Sequence, residues 1–343
     1  MNLYLHIGHG KTGSSFIQSW FACNAAQLAS AQKLLYPLKD PGSELADTRA
    51  LHGTFNQGNG WLLDRLLETT HHPRRQRRWL KGCMSDLPWA WKELNGVVFS
   101  FEGWAKRIPQ MLDPLRDLAG TWRVETIQLF LVVRDPLEHA CSAYSQMVKR
   151  HGYVGSLDQW LQGYRFTQRL LESLEAVHAA GSDIRLHAMH YGRHQQELLT
   201  CCQEWLGLDP AEAWSALPFA RVNRSLSEEE LRVMRILNAR IGVAAARVGE
   251  RFVNQLPDLT AARLQPSPGA VNDFLERWRQ PVDRINQLLP EDARIVLEPP
   301  ALASVVDRDQ DNSPIEFSAD QLKCLVDALV DIRIGQESPG SGV

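Results

Sequence analysis

The start of the chain constrains its fold more than any other stretch. An apolar run, Leu3 to Ile7, passes directly into Gly8-His9-Gly10-Lys11-Thr12-Gly13-Ser14-Ser15. Phe16, Ile17, Trp20, Phe21 and Leu28 then recur on one face of a predicted helix. Strand, glycine loop and helix in immediate succession form the simplest phosphate-binding arrangement. The first-turn N–H groups of a helix lack intrahelical partners, and its dipole presents a partial positive charge there.

The rest of the sequence extends that unit into an α/β architecture. Further strands are predicted at Gly96–Glu102, Ile127–Val133 and Ile184–Met189. Predicted helices at 74–94, 105–118, 136–150, 157–180 and 194–206 fall between and after them. The apolar runs do not alternate cleanly with polar residues, which favours buried parallel strands. The expected fold class is a P-loop-like, doubly wound parallel sheet flanked by helices, with a helical C-terminal portion. Ser227 with Glu230, and Ser318 with Gln321, carry capping-box spacing ahead of apolar helical faces. The expected domains are an α/β core over 1–215, with an acceptor-side insertion at about 40–120, and a helical portion over 216–334 packed on it. Residues 335–343 are expected to form a flexible tail.

Gly10-Lys11-Thr12 resembles the end of a nucleoside-triphosphate loop, but the full pattern requires a glycine five residues before Gly10. That position is Leu5, inside the strand, so the loop is too short to wrap a triphosphate. Lys11 supplies one point charge, and Thr12, Ser14 and Ser15 supply hydroxyls. This set suits a single phosphate with a reactive group beside it. A plain helix cap with packing glycines would leave Lys11 and the hydroxyls without a purpose.

On these residues the chain resembles sulfotransferases that use 3′-phosphoadenosine 5′-phosphosulfate (PAPS). The segment Leu5 to Ser15 is similar to that family's 5′-phosphosulfate loop. Leu131-Val132-Val133-Arg134-Asp135-Pro136, with Ser142 following, is similar to its 3′-phosphate motif. The resemblance, nearest to bacterial, carbohydrate-type members, implies sulfuryl transfer from PAPS to a hydroxyl, leaving adenosine 3′,5′-bisphosphate. It assigns donor binding to Gly10, Lys11, Thr12, Gly13, Ser14, Ser15, Arg134 and Ser142, with Lys11 also catalytic at the bridging oxygen. Asn223-Arg224-Ser225-Leu226-Ser227 is a softer similarity that carries no role. Arg134 fits on physical grounds too, since its planar fork at a strand's carboxyl end suits bidentate phosphate contact.

The base that deprotonates the acceptor belongs beside the loop. Glu102, at the end of a predicted strand, is the first candidate; partial burial next to Phe101 and Trp104 would raise its pKa toward a working range. His52, in a polar glycine-containing loop, is the second, because an imidazole needs little tuning. His9, within the glycine loop, is expected to position phosphate. Trp61, Trp79, Trp89, Trp91, Trp104 and Trp122 fall in or beside the insertion, where aromatic rings would serve a sugar acceptor, although most are expected in the core. Arg74, Arg75, Arg77, Arg78 and Lys81 read as a solvated helix face ahead of a site for an anionic glycan. His187, His190 and His194 do not share a spacing that would converge on a metal, and no metal is expected.

A net charge of −3 gives no global basic field for nucleic acid. No run reaches the roughly 18 apolar residues of a membrane span, and Met1 to Ile7 lacks a signal peptide's basic start. Six cysteines without a C-x-x-C pair point to reduced thiols and a cytoplasmic chain. The expected partner is a small-molecule or glycan acceptor; oligomeric state is left open. Two other readings compete. One is a small-molecule kinase using ATP and magnesium, with Asp135 as metal ligand; the other is a catalytically silent nucleotide-binding module.

Overall fold

A computed structural model describes residues 1–41, 43, 58–69, 71–209, 211–217, 224–299 and 314–337. Five strands form one sheet: β1 (Asn2–Gly8), β2 (Leu34–Leu35), β3 (Gly96–Ser100), β4 (Thr126–Val133) and β5 (Ile184–His190). Their order is β2-β3-β1-β4-β5, and every pairing is parallel. The helices of seven residues or more are, in chain order, α1 (Ser14–Cys23), α2 (Ala25–Gln32), α3 (Gly60–Leu67), α4 (Pro73–Cys83), α5 (Ile108–Trp122), α6 (Pro136–Arg150), α7 (Leu157–Gly163) and α8 (Phe166–Ala180). After β5 come α9 (Leu198–Trp205), α10 (Glu228–Ile241), α11 (Ala246–Gln255), α12 (Pro268–Leu288) and α13 (Ala319–Glu337).

The sheet is buried on both faces, which is why its strands read as apolar runs. On one face Tyr4, Val98, Phe130, Val132 and Met189 pack with Ile17, Trp20 and Phe21 of α1, Leu28 of α2, and Leu198, Cys202 and Trp205 of α9. On the other, Leu5 pairs in register with Phe99 and Leu129, all fully buried. Trp79 of α4 packs 6.3 Å from Phe99 and stacks on Trp122 of α5. Edge strand β5 alternates, exposing Arg185. Such a charge blunts a sheet edge. The α/β class and the doubly wound parallel sheet stand as expected.

Several boundaries differ. The helix expected over 74–94 stops at Cys83, and a single 3-10 turn follows at Trp91–Glu93; Pro88 lies between them and cannot continue a helix. The stretch 157–180 divides into α7 and α8, with Tyr164 extended between them. Two-residue β2 is too short to leave a pattern. Residues 335–337, expected in the tail, belong to α13, which runs to Glu337; residues 338–343 lie outside the described residues.

The chain divides into two compact units that interleave in sequence. One comprises Met1–Asp135, Arg165–Val222 and Arg279–Val296 and holds the sheet; the other comprises Pro136–Tyr164, Asn223–Trp278 and Leu297–Val343. The sequence pattern divides the chain once, near 215, because periodicity identifies a helix without saying which neighbours it packs on. In the second unit Arg224 forks onto both carboxylate oxygens of buried Glu230 at 2.8 Å. Glu230 also closes the capping box on the Ser227 N–H. Lys149 of α6, 2 % exposed, donates to the Arg224 carbonyl. The soft motif around Arg224 is thus a buried knot of this unit, except Asn223, which lies outside the described residues. Among the described residues no helix is long and apolar enough to cross a membrane.

Candidate functional site

The loop between β1 and α1 is shaped by three left-handed residues: Gly8 (φ 88°), Lys11 (φ 68°) and Gly13 (φ 81°). A Cβ on Gly8 would stand 2.6 Å from the Glu102 carbonyl oxygen, and one on Gly13 would collide with Leu198 Cδ2. Backbone excludes any side chain at Gly8, and at Gly13 one would be strained by the left-handed backbone and would have to displace the end of Leu198. Lys11 adopts the same region despite its side chain, a conformation that costs energy and concentrates at functional sites. Thr12 and Ser14 are buried, and both hydroxyls donate to the His9 carbonyl. Those hydroxyls fasten the loop to itself, which leaves the backbone N–H groups as its outward donors at these positions. Ser15 is half-buried. The first turn of α1 starts from Gly13, whose carbonyl accepts from the Phe16 and Ile17 N–H groups.

His9 ties the loop to β4, its N–H donating to Val132 O at 3.1 Å. Its ring is buried edge-on against Phe166, and burial pushes its pKa down to about 4. It is therefore a neutral imidazole at pH 7. Three residues earlier, on β1, His6 is fully buried with Nδ1 2.7 Å from Ser100 Oγ, and burial lowers its pKa to about 3.

Arg134 follows the last residue of β4, and its guanidinium donates to the Lys11 carbonyl at 3.3 Å. It also lies over the Tyr191 ring, 5.6 Å from the centroid. Tyr191 in turn approaches the loop, 3.2 Å from where a Cβ on Gly13 would stand. Lys11 and Arg134, distant in sequence, thus belong to one constellation at the carboxyl edge of the sheet. Open α/β sheets bind ligands at this edge. Next to it, Asp135 Oδ1 accepts from His190 Nε2 at 2.9 Å and from the Val296 N–H at 2.6 Å. Burial alone would raise the Asp135 pKa, but these hydrogen bonds outweigh it and hold the carboxyl below its ordinary range. His190 Nδ1 accepts from the Arg193 N–H, which places the imidazole proton on Nε2, facing Asp135.

Glu102 opens the 3-10 turn Glu102–Lys106 that follows β3. Its carboxyl carbon lies 3.9 Å from where a Cβ on Gly10 would stand, so the structure brings it to the loop. The side chain is exposed, which corrects the expectation of partial burial: β3 ends at Ser100 and the chain turns outward before Glu102. His52 lies outside the described residues. Ser142 is half-buried on α6, in the second unit.

Other features resolve one by one. His187, His190 and His194 face Gln128, Asp135 and Glu197 respectively, and among the described residues no group of metal-ligating side chains gathers. Trp104 and Trp122 are core, Trp79 is half-buried, and Trp61 is 49 % exposed. The five cations from Arg74 to Lys81 are all exposed. Sequence reasoning missed Tyr191 and Leu198 and weighed His190 only as a metal ligand. Tyr191 directly follows β5, a position that gains meaning once β5 is known to neighbour β4.

No family model matches the chain, and no curated protein matches it. Among solved structures the chain is similar to a sulfotransferase from Alicyclobacillus acidocaldarius, at 10% identity and a TM-score of 0.39, covering 83% of this chain and 94% of that one. It is also similar to the sulfotransferase domain of the olefin synthase of Synechococcus PCC 7002, at 14% identity and a TM-score of 0.30, covering 61% and 73%. A third is retinol dehydratase in complex with androsterone and inactive cofactor PAP, at 12% identity and a TM-score of 0.27, covering 96% and 80%.

Proposed function

We infer that this chain transfers a sulfuryl group from PAPS to a hydroxyl of a carbohydrate or glycan-like acceptor, without a metal. One observation carries the reading: the Arg134 guanidinium bonds to the Lys11 carbonyl, so two anion-binding elements share one edge of the sheet. A donor with phosphate groups on both the 3′ and the 5′ oxygens of one ribose needs two such elements close together. Gly10 to Ser15 offer N–H groups at a helix N-terminus for the 5′-phosphosulfate, and Arg134 is assigned to the 3′-phosphate.

Sulfuryl transfer makes demands like those of phosphoryl transfer: in-line approach, charge stabilisation on the leaving oxygen, and a sink for the acceptor's proton. In this reading the acceptor oxygen attacks sulfur as the bond from sulfur to the 5′-phosphate oxygen breaks. The electron pair stays on that phosphate oxygen beside Lys11. The acceptor's proton passes to the Glu102 carboxylate, with His52 as the other candidate base. The kinase reading is not favoured, because Asp135 Oδ1, its metal ligand, already accepts from His190 and Val296. Cysteine usage supports a reducing, cytoplasmic setting.

The test is a thermal-shift comparison of adenosine 3′,5′-bisphosphate with ATP plus magnesium, followed by labelled sulfate transfer from PAPS onto glycans, lipids and phenols. The bisphosphate should raise Tm and the nucleoside triphosphate should not. Stabilisation by ATP and magnesium alone overturns the reading.

A further inference from the structure

Helix α4 carries its charge against the rules of helix electrostatics. Its sequence, PRRQRRWLKGC, holds Arg74, Arg75, Arg77, Arg78 and Lys81 and no carboxylate. At about 100° per residue, Arg77, Lys81, Arg74 and Arg78 fall within an arc of about 100°, with Arg75 extending it. Arg74 and Arg78, and Arg77 and Lys81, stand four residues apart, the spacing at which like charges repel most directly along a helix. Arg74 and Arg75 also sit in the first turn, where the helix dipole disfavours cations. The opposite arc, with buried Gln76 and Leu80 and with Trp79 stacked on Trp122, packs inward. Among the described residues none of the five cations forms an ion pair; Arg77 donates to the Thr121 carbonyl instead.

A chain with net charge −3 thus presents on one helix a basic stripe that, among the described residues, no carboxylate pairs with. We propose that this stripe is a docking surface for an anionic polysaccharide, one carrying carboxylate or sulfate groups along its length. The cations at 74, 77, 78 and 81 rise in steps over about 10 Å of helix axis, so a linear chain laid along the helix meets successive guanidinium forks suited to those groups. A bilayer fits less well. The helix's apolar arc faces the protein core and has nothing to insert, and the net negative charge opposes a broad anionic surface but not a thin chain within a Debye length of the stripe. Nucleic acid fits less well because the helix's aromatic side chain, Trp79, is stacked inward and offers bases no platform. The proposal does not depend on sulfuryl transfer.

The test uses the full-length protein and a variant, Arg74→Gln, Arg78→Gln, Lys81→Gln, measured against heparin, phosphatidylserine vesicles and duplex DNA at low and physiological salt. The expected result is heparin binding that weakens with salt and falls at least tenfold in the variant, with vesicles and DNA bound more weakly than heparin. The variant's Tm should be equal or higher, since repulsion is relieved, and its response to adenosine 3′,5′-bisphosphate unchanged. Equal heparin affinity in variant and parent overturns the proposal, and so does tighter binding to vesicles or to DNA. Loss of the bisphosphate response in both proteins would instead count against the sulfuryl-transfer reading alone.

Discussion

Gly13 and Arg134 set the tolerance of the site at the scale of single side chains. Gly13→Ala would hold a side chain in a left-handed conformation and drive its Cβ into Leu198. The expected cost is about 1–3 kcal/mol, seen as a lower urea midpoint together with lost bisphosphate binding. A midpoint equal to the parent's would show that the loop relaxes freely. Arg134→Lys keeps the charge but loses the fork that reaches both Lys11 and Tyr191. A charge-assisted hydrogen bond is worth about 1.5–3 kcal/mol, so bisphosphate affinity should fall roughly 10- to 100-fold, measured by calorimetry. Unchanged affinity would remove Arg134 from the 3′-phosphate site. Arg134 was legible in sequence because a strand, an arginine and a proline-led helix follow one another without a break. Tyr191 was not: its importance comes from a parallel neighbour, β5, whose register with β4 no local pattern encodes.

Among the secondary-structure elements, the capping box that opens α10 shows how a local signal conceals a tertiary one. Ser227 and Glu230 have the spacing of a cap, and they do cap, Ser227 Oγ accepting from the Glu230 N–H. The same Glu230 is fully buried and takes both forks of Arg224, itself 8 % exposed. Spacing predicted the first role; nothing in the sequence announced the second, because the pair lies within one loop-to-helix turn and looks like ordinary surface charge. The two roles separate by mutation. Ser227→Ala loses a cap and should cost about 1 kcal/mol. Glu230→Gln leaves the Arg224 guanidinium buried without its counter-charge and should cost about 3–5 kcal/mol. Chemical denaturation of both variants checks the ordering, and equal losses would mean that the buried ion pair adds nothing to the cap.

Over the whole molecule, the buried histidines make stability depend on pH in one direction. Both His6 and His9 have native pKa values lowered by burial, to about 3 and about 4, whereas an unfolded histidine titrates near 6.5. Below pH 6.5 the unfolded chain takes up protons at both sites and the native chain does not, so stability falls as pH falls. The stabilisation is fully present above pH 6.5 and lost progressively toward pH 4. Once the unfolded state is protonated, two such groups give a slope of about 2.7 kcal/mol per pH unit. Domains hold only about 5–15 kcal/mol in total, so unfolding should begin well before the native histidines ionise. Asp135, whose carboxyl is held low by His190 and Val296, acts in the same direction, its contribution declining once pH drops below the ordinary carboxylate range. Urea midpoints taken from pH 7.5 to 4.5 should fall steeply below pH 6. His6→Asn removes one of the two titrating sites and should reduce that slope by about half, whatever it does to stability at pH 7.5. A parent and variant with parallel pH profiles would mean that His6 takes up its proton alike in the native and unfolded chains, and that its surroundings at Ser100 and Phe130 admit charge.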